Sequence, residues 1–159
     1  MGTSTNAMLV YGYHLGGDDG GWKVEGAGEY GELPALDWHD PENGEADFQE
    51  DAEPRLLAAL AGFTETDWRA EGYRDRRRNA KAQLGVGFET HCSGDYPGFL
   101  LIAKGITAHR GDVEPIDFAA LTAEVQAADA DTKLRAALDA LGLNPTQQQA
   151  QWLLCSYWG

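Results

Sequence analysis

The chain has 159 residues, 43% of them apolar and five of them tryptophan, which excludes wholesale disorder and suffices for one domain. Its apolar runs are far shorter than the roughly 20 residues that cross a bilayer, and its two cysteines form no disulfide framework. We therefore expect a cytoplasmic protein, with residues 1–6 as a flexible leader and residues 7–159 as a single domain.

The net charge of −14 is unevenly distributed. Residues 1–53 contain 13 acidic residues and one lysine, a net of −12, whereas residues 54–83 carry +3. A strongly acidic field repels membranes and nucleic acid and attracts basic surfaces. The expected partner is a basic protein surface, without a membrane or direct nucleic-acid contact, and the sequence leaves a homo-oligomer open.

The amino-terminal half predicts strands, then helices. Residues 7–15 have strand propensity, and a glycine-rich turn leads to a second strand at Trp22. Residues 33–38 predict a short edge strand. A first helix is expected to start between Asp47 and Pro54, nearer the proline because proline favours a first turn.

A second helix is predicted from residue 66 through residue 83, and residues 73–84 show the helical pattern most clearly. A central hairpin follows at about residues 85–108, and a loop at residues 93–96 would place Cys92 opposite Pro97. One face, predicted as core, then carries Val86, Phe88, Thr90, Phe99, Leu101 and Ala103; the other carries Glu89, His91, Leu100 and Ile102. We expect a helix to cover the second face in part.

The carboxy-terminal third predicts helices. Asp117 and Asp131 precede apolar residues at helical spacing, and Gly142 ends the second of these runs. Asn144 followed by Pro145 is typical of a helix start and predicts a last helix that includes Trp152, Leu153 and Cys155. The expected fold is α+β: a small, mostly antiparallel sheet around the central hairpin, with helices on one face and a C-terminal helical hairpin.

His91, Cys92 and Asp95 form the most chemically suggestive cluster, at the hairpin turn. A thiolate nucleophile needs a base within hydrogen-bond reach. Adjacent residues in a regular strand point to opposite faces, so His91 is not expected to reach Cys92 there. The simpler interpretation is a buried thiol beside a turn aspartate.

Metal and cofactor sites have little support in the sequence. Asp37 and His39 would share one side of an extended segment, as a weak pair of metal ligands, and His14 with Asp18 and Asp19 is a second candidate. Neither supplies the three or four ligands that a metal site needs. The glycine-rich stretches fit no phosphate-binding pattern, so we expect no cofactor.

Two further groups are candidate interaction residues: the basic run Arg74, Arg76, Arg77 and Arg78, and the terminal aromatic pair Tyr157 and Trp158. The arginines either neutralise the acidic amino-terminal third within the fold, which we favour, or form salt bridges with a partner. The aromatic residues either pack into the core, which we favour, or contact another subunit or protein.

The sequence alone does not identify a function. The leading hypothesis is a small acidic interaction protein, accessory or inhibitory, without catalytic activity. The alternatives are an enzyme that uses the cluster of His91, Cys92 and Asp95, and an acidic mimic of nucleic acid.

Overall fold

A computed structural model describes residues 5–18, 20–44 and 46–158, without the side chain of Trp158. The described residues form five strands and four helices, arranged as pairs of strands and pairs of helices followed by a last strand. The elements are β1 (Thr5–Gly17), β2 (Gly21–Trp22), α1 (Phe48–Ala61), α2 (Tyr73–Leu84), β3 (Gly87–Cys92), β4 (Pro97–Ala108), α3 (Phe118–Ala127), α4 (Ala130–Leu141) and β5 (Gln151–Trp158). β1 begins inside the predicted leader, whose residues 1–4 lie outside the described part of the chain. The α+β class is confirmed.

The long strand β1 lies at the centre of the sheet. One of its edges pairs with β4 and the other with β5, in both cases antiparallel, and β3 pairs with β4. β5 also meets β3 through one parallel bridge, Cys92 to Tyr157, so the pairings of β1, β4, β3 and β5 form a ring. The short β2 pairs antiparallel with the last two residues of β1, Gly16 and Gly17.

The predicted hairpin register is confirmed, with Cys92 opposite Pro97 and Phe88 opposite Leu101. Alternate residues of β4 therefore enter two separate clusters. The outer cluster, which includes Phe99 and Leu101, packs against helices α1, α2 and α4. The inner cluster is formed by the buried residues Met8, Val10, Leu100 and Ile102, with Leu153, Cys155 and Tyr157 packed against them.

Strands, and not a helix, cover the second face of the hairpin. The described members of the inner cluster come from β1, β4 and β5. Because β5 pairs with the free edge of β1 and returns to β3, the sheet curls and covers its own apolar side. The expectation of a partial helical cover is wrong.

Local end signals set the helix boundaries. The Asp47 side chain accepts a hydrogen bond from the backbone N–H of Glu50, so α1 begins at Phe48 and Pro54 lies inside the helix. The start lies within the predicted interval from Asp47 to Pro54, but the expectation that it lies nearer the proline is wrong for that reason. Gly62 ends α1 in the left-handed conformation, with φ 63°.

The helices after residue 62 are close to those expected. α2 matches residues 73–84, and α3 begins behind Asp117, which accepts from the N–H of Ala120. α4 ends at Gly142, with φ 67°. None of the described helices is long and apolar enough to cross a membrane.

Two predicted elements are wrong. Residues 33–38 form no strand and contribute one isolated bridge, between Leu36 and His39. The last helix is also absent: residues 151–158 are the strand β5, so α3 and α4 are the carboxy-terminal helix pair.

The segment before β5 shows why no helix starts there. The Asn144 side chain donates to Glu25 instead of capping a helix, and Pro145 forms a bridge with Val24. These tertiary contacts hold the segment against the chain after β2, and the following residues then pair with the edge of β1.

Candidate functional site

A cleft of about 610 Å³ lies on the helix side of the sheet. The turn between β1 and β2, the long loop before α1 and the hairpin turn between β3 and β4 form its walls. Phe48 and Phe99 line it and are each 4% exposed, whereas Tyr30 and Tyr96 are 84% and 64% exposed. The cleft thus has a buried aromatic floor and exposed aromatic residues at its rim.

Trp22 completes the aromatic floor. Its ring stacks on Phe99 at 5.4 Å between centroids and 13° between planes, and it contacts Phe48 at 4.7 Å. Trp22 is half-buried, so part of this flat surface remains open to a ligand. Aromatic faces carry partial negative charge and attract cations.

The charged side chains of the cleft are acidic. The described lining contains four carboxylates, Asp18, Glu32, Asp47 and Asp95, and neither lysine nor arginine. Glu32 accepts from the N–H of Tyr30, and Asp47 caps α1. We name this site, with its aromatic floor, the acidic cleft.

His39 also lines the acidic cleft. Its Nδ1 lies 2.8 Å from Oδ2 of Asp51 on α1, and its side chain is only 5% exposed. The edge of the ring meets Phe48 at 5.7 Å and 89°. Asp51 and Phe48 therefore fix the orientation of this imidazole.

The two predicted metal ligands, Asp37 and His39, bind different partners. Asp37 contacts Arg55 at 3.2 Å, whereas His39 is held by Asp51. In the second candidate set, Asp19 lies outside the described residues. Within residues 5–18, 20–44 and 46–158, no group of three or more His, Cys, Asp or Glu is placed to hold a metal ion.

A thiol–imidazole contact lies on the other face of the hairpin. Sγ of Cys92 is 3.0 Å from Nδ1 of His91. The expectation that strand geometry keeps these neighbours apart is wrong, because Cys92 has φ 69° and leaves the regular alternation. Asp95 instead lines the acidic cleft, so the structure brings together two members of the predicted cluster and not the third.

The surroundings of this contact favour neutral groups. Burial raises the pKa of the Cys155 thiol, and the charges of Cys92 and Glu89 raise it further. Burial likewise lowers the pKa of His14, whose ring lies 5.1 Å from that of His91. Burial therefore disfavours the charged forms of both Cys155 and His14.

Most of the predicted basic run forms ion pairs within the fold. Arg76 binds Glu65 through two parallel hydrogen bonds of 2.7 Å. Arg77 and Lys81 from α2 both bind Glu53 on α1. Burial by itself would raise the pKa of Glu53, but hydrogen bonds and charge from Lys81 and Arg77 lower it.

Arg78 pairs with Asp75 on the same helix at 3.2 Å, whereas Arg74 makes no ion pair with any other described residue. Tyr157 is half-buried and packs against the inner cluster. Trp158 pairs with Thr5 through its backbone, and its side chain lies outside the described part.

Sequence reasoning found only isolated members of the acidic cleft: Asp95 as a catalytic candidate, and Asp18 and His39 as metal candidates. It missed Trp22, Tyr30 and the other lining residues, since they come from separate segments that no short motif connects. The abundance of acidic residues before residue 54 was the one available signal.

Comparisons with family models, with curated proteins and with solved structures found no match to the chain.

Proposed function

We propose that the protein is a non-catalytic interaction protein that binds a basic segment of a partner protein, with one cationic side chain of the partner inside the acidic cleft. One observation carries the proposal: four carboxylates and an aromatic floor line the same cleft, and the described lining contains no lysine or arginine.

Both parts of the lining favour a cation. A cation over an aromatic face gains about 0.5–2 kcal/mol, with the larger values where water is excluded. The side-chain carboxylates of Asp18 and Asp95 make no hydrogen bond or ion pair with other described residues, so no cation of the described chain neutralises them. The net −12 of residues 1–53 adds a long-range attraction that speeds association with a basic surface.

The test uses short peptides with one lysine or one arginine among glycine and serine residues, titrated into the isotope-labelled protein. We expect the indole N–H signal of Trp22 to shift at about 0.05 M salt and to shift less at about 0.5 M salt. The double variant Asp18→Asn with Asp95→Asn should weaken binding by about 2- to 30-fold, since each of the two ion pairs contributes about 0.2–1 kcal/mol.

The matched control removes two charges elsewhere. Glu114 and Asp139 are exposed and lie outside the cleft lining, so Glu114→Gln with Asp139→Asn removes the same number of negative charges from the protein. Equal weakening by both double variants would show that overall charge, and not the cleft, attracts the peptide. If neither the lysine peptide nor the arginine peptide changed the spectrum of the protein, the proposal would be refuted.

A second candidate function has one specific observation in its favour, the 3.0 Å contact between Cys92 and His91. An imidazole that accepts the thiol proton yields the nucleophilic thiolate, so this pair could support thiol chemistry. Alkylation of the native protein by iodoacetamide tests it, with Cys155 as internal reference. Modification of Cys92 no faster than that of a free cysteine at neutral pH would exclude this function.

A further inference from the structure

We infer that the acidic cleft selects arginine over lysine, with the guanidinium donating a hydrogen bond to Nε2 of His39. This inference rests on the proposed function and names the chemical group that the cleft accepts. It is based on the orientation of His39, on the shape of the aromatic floor and on the kind of hydrogen bond that the lining offers.

Asp51 determines which nitrogen of His39 is available. A carboxylate only accepts hydrogen bonds, so the contact of 2.8 Å places the proton of the neutral ring on Nδ1. Nε2 then carries a lone pair and makes no hydrogen bond with another described residue. The side chain is 5% exposed and lines the cleft, so a ligand that donates a hydrogen bond to this nitrogen would reach it from the cleft.

The carboxylates of the lining are acceptors as well. A ligand that satisfies Nε2 together with Asp18 or Asp95 needs several donors in different directions. A guanidinium has five N–H donors in one plane, whereas an ammonium has three on a single atom. The count and spread of donors therefore favour arginine.

The aromatic floor favours the same group. Trp22 stacks on Phe99, whose side chain is 4% exposed, so the half-buried ring of Trp22 supplies the flat aromatic surface that a ligand can reach. A guanidinium stacks face to face on such a surface while its edges remain free to donate. A lysine ammonium is compact and strongly hydrated, and it loses more hydration for fewer contacts.

The experiment compares two peptides that are identical except for one central residue, arginine or lysine, each titrated into the wild-type protein and into His39→Gln. We expect the arginine peptide to bind the wild type about tenfold more tightly than the lysine peptide. His39→Gln should lose most of this preference. As a readout that needs no variant, the ring ¹⁵N signals of His39 should show a protonated Nδ1, and the Nε2 signal should shift when the arginine peptide binds.

The outcomes separate the two proposals. Binding of neither peptide would refute both the proposed function and this inference. Equal binding of the two peptides would refute the selection of arginine and leave the interaction function standing. An arginine preference without a shift of the Nε2 signal would overturn the role given to His39. In that case His39→Gln would still prefer the arginine peptide, which provides an independent check.

Discussion

His91 and Cys92 are neighbours in the chain, and their side chains meet at 3.0 Å between Nδ1 and Sγ. Two backbone features allow this contact. Cys92 adopts φ 69°, which turns its side chain out of the strand alternation. Gly98, opposite His91 in the register, leaves room for the imidazole ring.

Gly98→Ala should destabilise the protein and displace the His91 ring. A Cβ at residue 98 would lie 2.5 Å from Nε2 and 2.7 Å from Cε1 of His91, closer than real contacts allow. We expect a loss of about 1–3 kcal/mol in the free energy of unfolding, measured by urea denaturation. Gly94→Ala is the control, since a Cβ there meets nothing within 4 Å; equal losses would contradict the prediction.

Asp51→Ala should destabilise the fold through His39. It removes the hydrogen-bond partner of an imidazole whose side chain is 5% exposed, which costs about 1–3 kcal/mol. Asp37→Ala is a matched control, because Asp37 is 75% exposed in its pair with Arg55 and such pairs contribute up to about 1 kcal/mol. Chemical denaturation measures the free energy of unfolding of both variants. A greater loss for Asp37→Ala than for Asp51→Ala would contradict the stabilising role of the pair between His39 and Asp51.

Glu53→Gln should reduce stability at neutral pH by about 1 kcal/mol and should weaken the acid dependence. Burial raises the pKa of Glu53, but Lys81 and Arg77 lower it to a greater extent, so the folded state binds this proton less readily than the unfolded chain. The ion pairs therefore stabilise the fold above about pH 4.5, and this contribution is lost as the pH falls through the lowered pKa.

Denaturation curves across the acid range measure this effect. The difference in the free energy of unfolding between the wild type and Glu53→Gln should become smaller as the pH falls. Glu65→Gln is the comparison variant, because Glu65 pairs with Arg76 at the surface, where solvent screens the charges. Its loss in the free energy of unfolding at neutral pH should be smaller than that of Glu53→Gln. A difference between wild type and Glu53→Gln that stays constant with pH would contradict the assigned ion pairs.

Adjacent leucines test the strand β5. Leu153 packs against the inner cluster, whereas Leu154 is 77% exposed, as alternation in a strand requires. We expect Leu153→Ala to cost about 1–2 kcal/mol and Leu154→Ala to change stability by at most about 0.5 kcal/mol. A larger loss for Leu154→Ala would show that the two side chains face the other way.

Local patterns were sufficient where the decisive contacts lie within a few residues. The hairpin register follows from its turn, and helix ends follow from Gly62, Asp117 and Gly142, whose cap contacts are made within one or two turns. At the start of α1 two local signals competed, and the Asp47 cap prevailed over Pro54. Composition also identified the acidic amino-terminal region, from which several walls of the acidic cleft are formed.

The sequence by itself determined the α+β class, the central hairpin and most helix boundaries, since these depend on turn chemistry, capping and periodicity along short stretches. Only the tertiary structure decided that residues 151–158 are a strand, because the free edge of β1 lies more than a hundred residues away in the chain. The same holds for the candidate site: His39 meets Asp51, and Trp22 meets Phe99, through folding that no local spacing encodes. Contacts between distant segments depend on how all the strand edges pair and how all the apolar faces are buried in the complete fold. The position of the acidic cleft follows from those contacts.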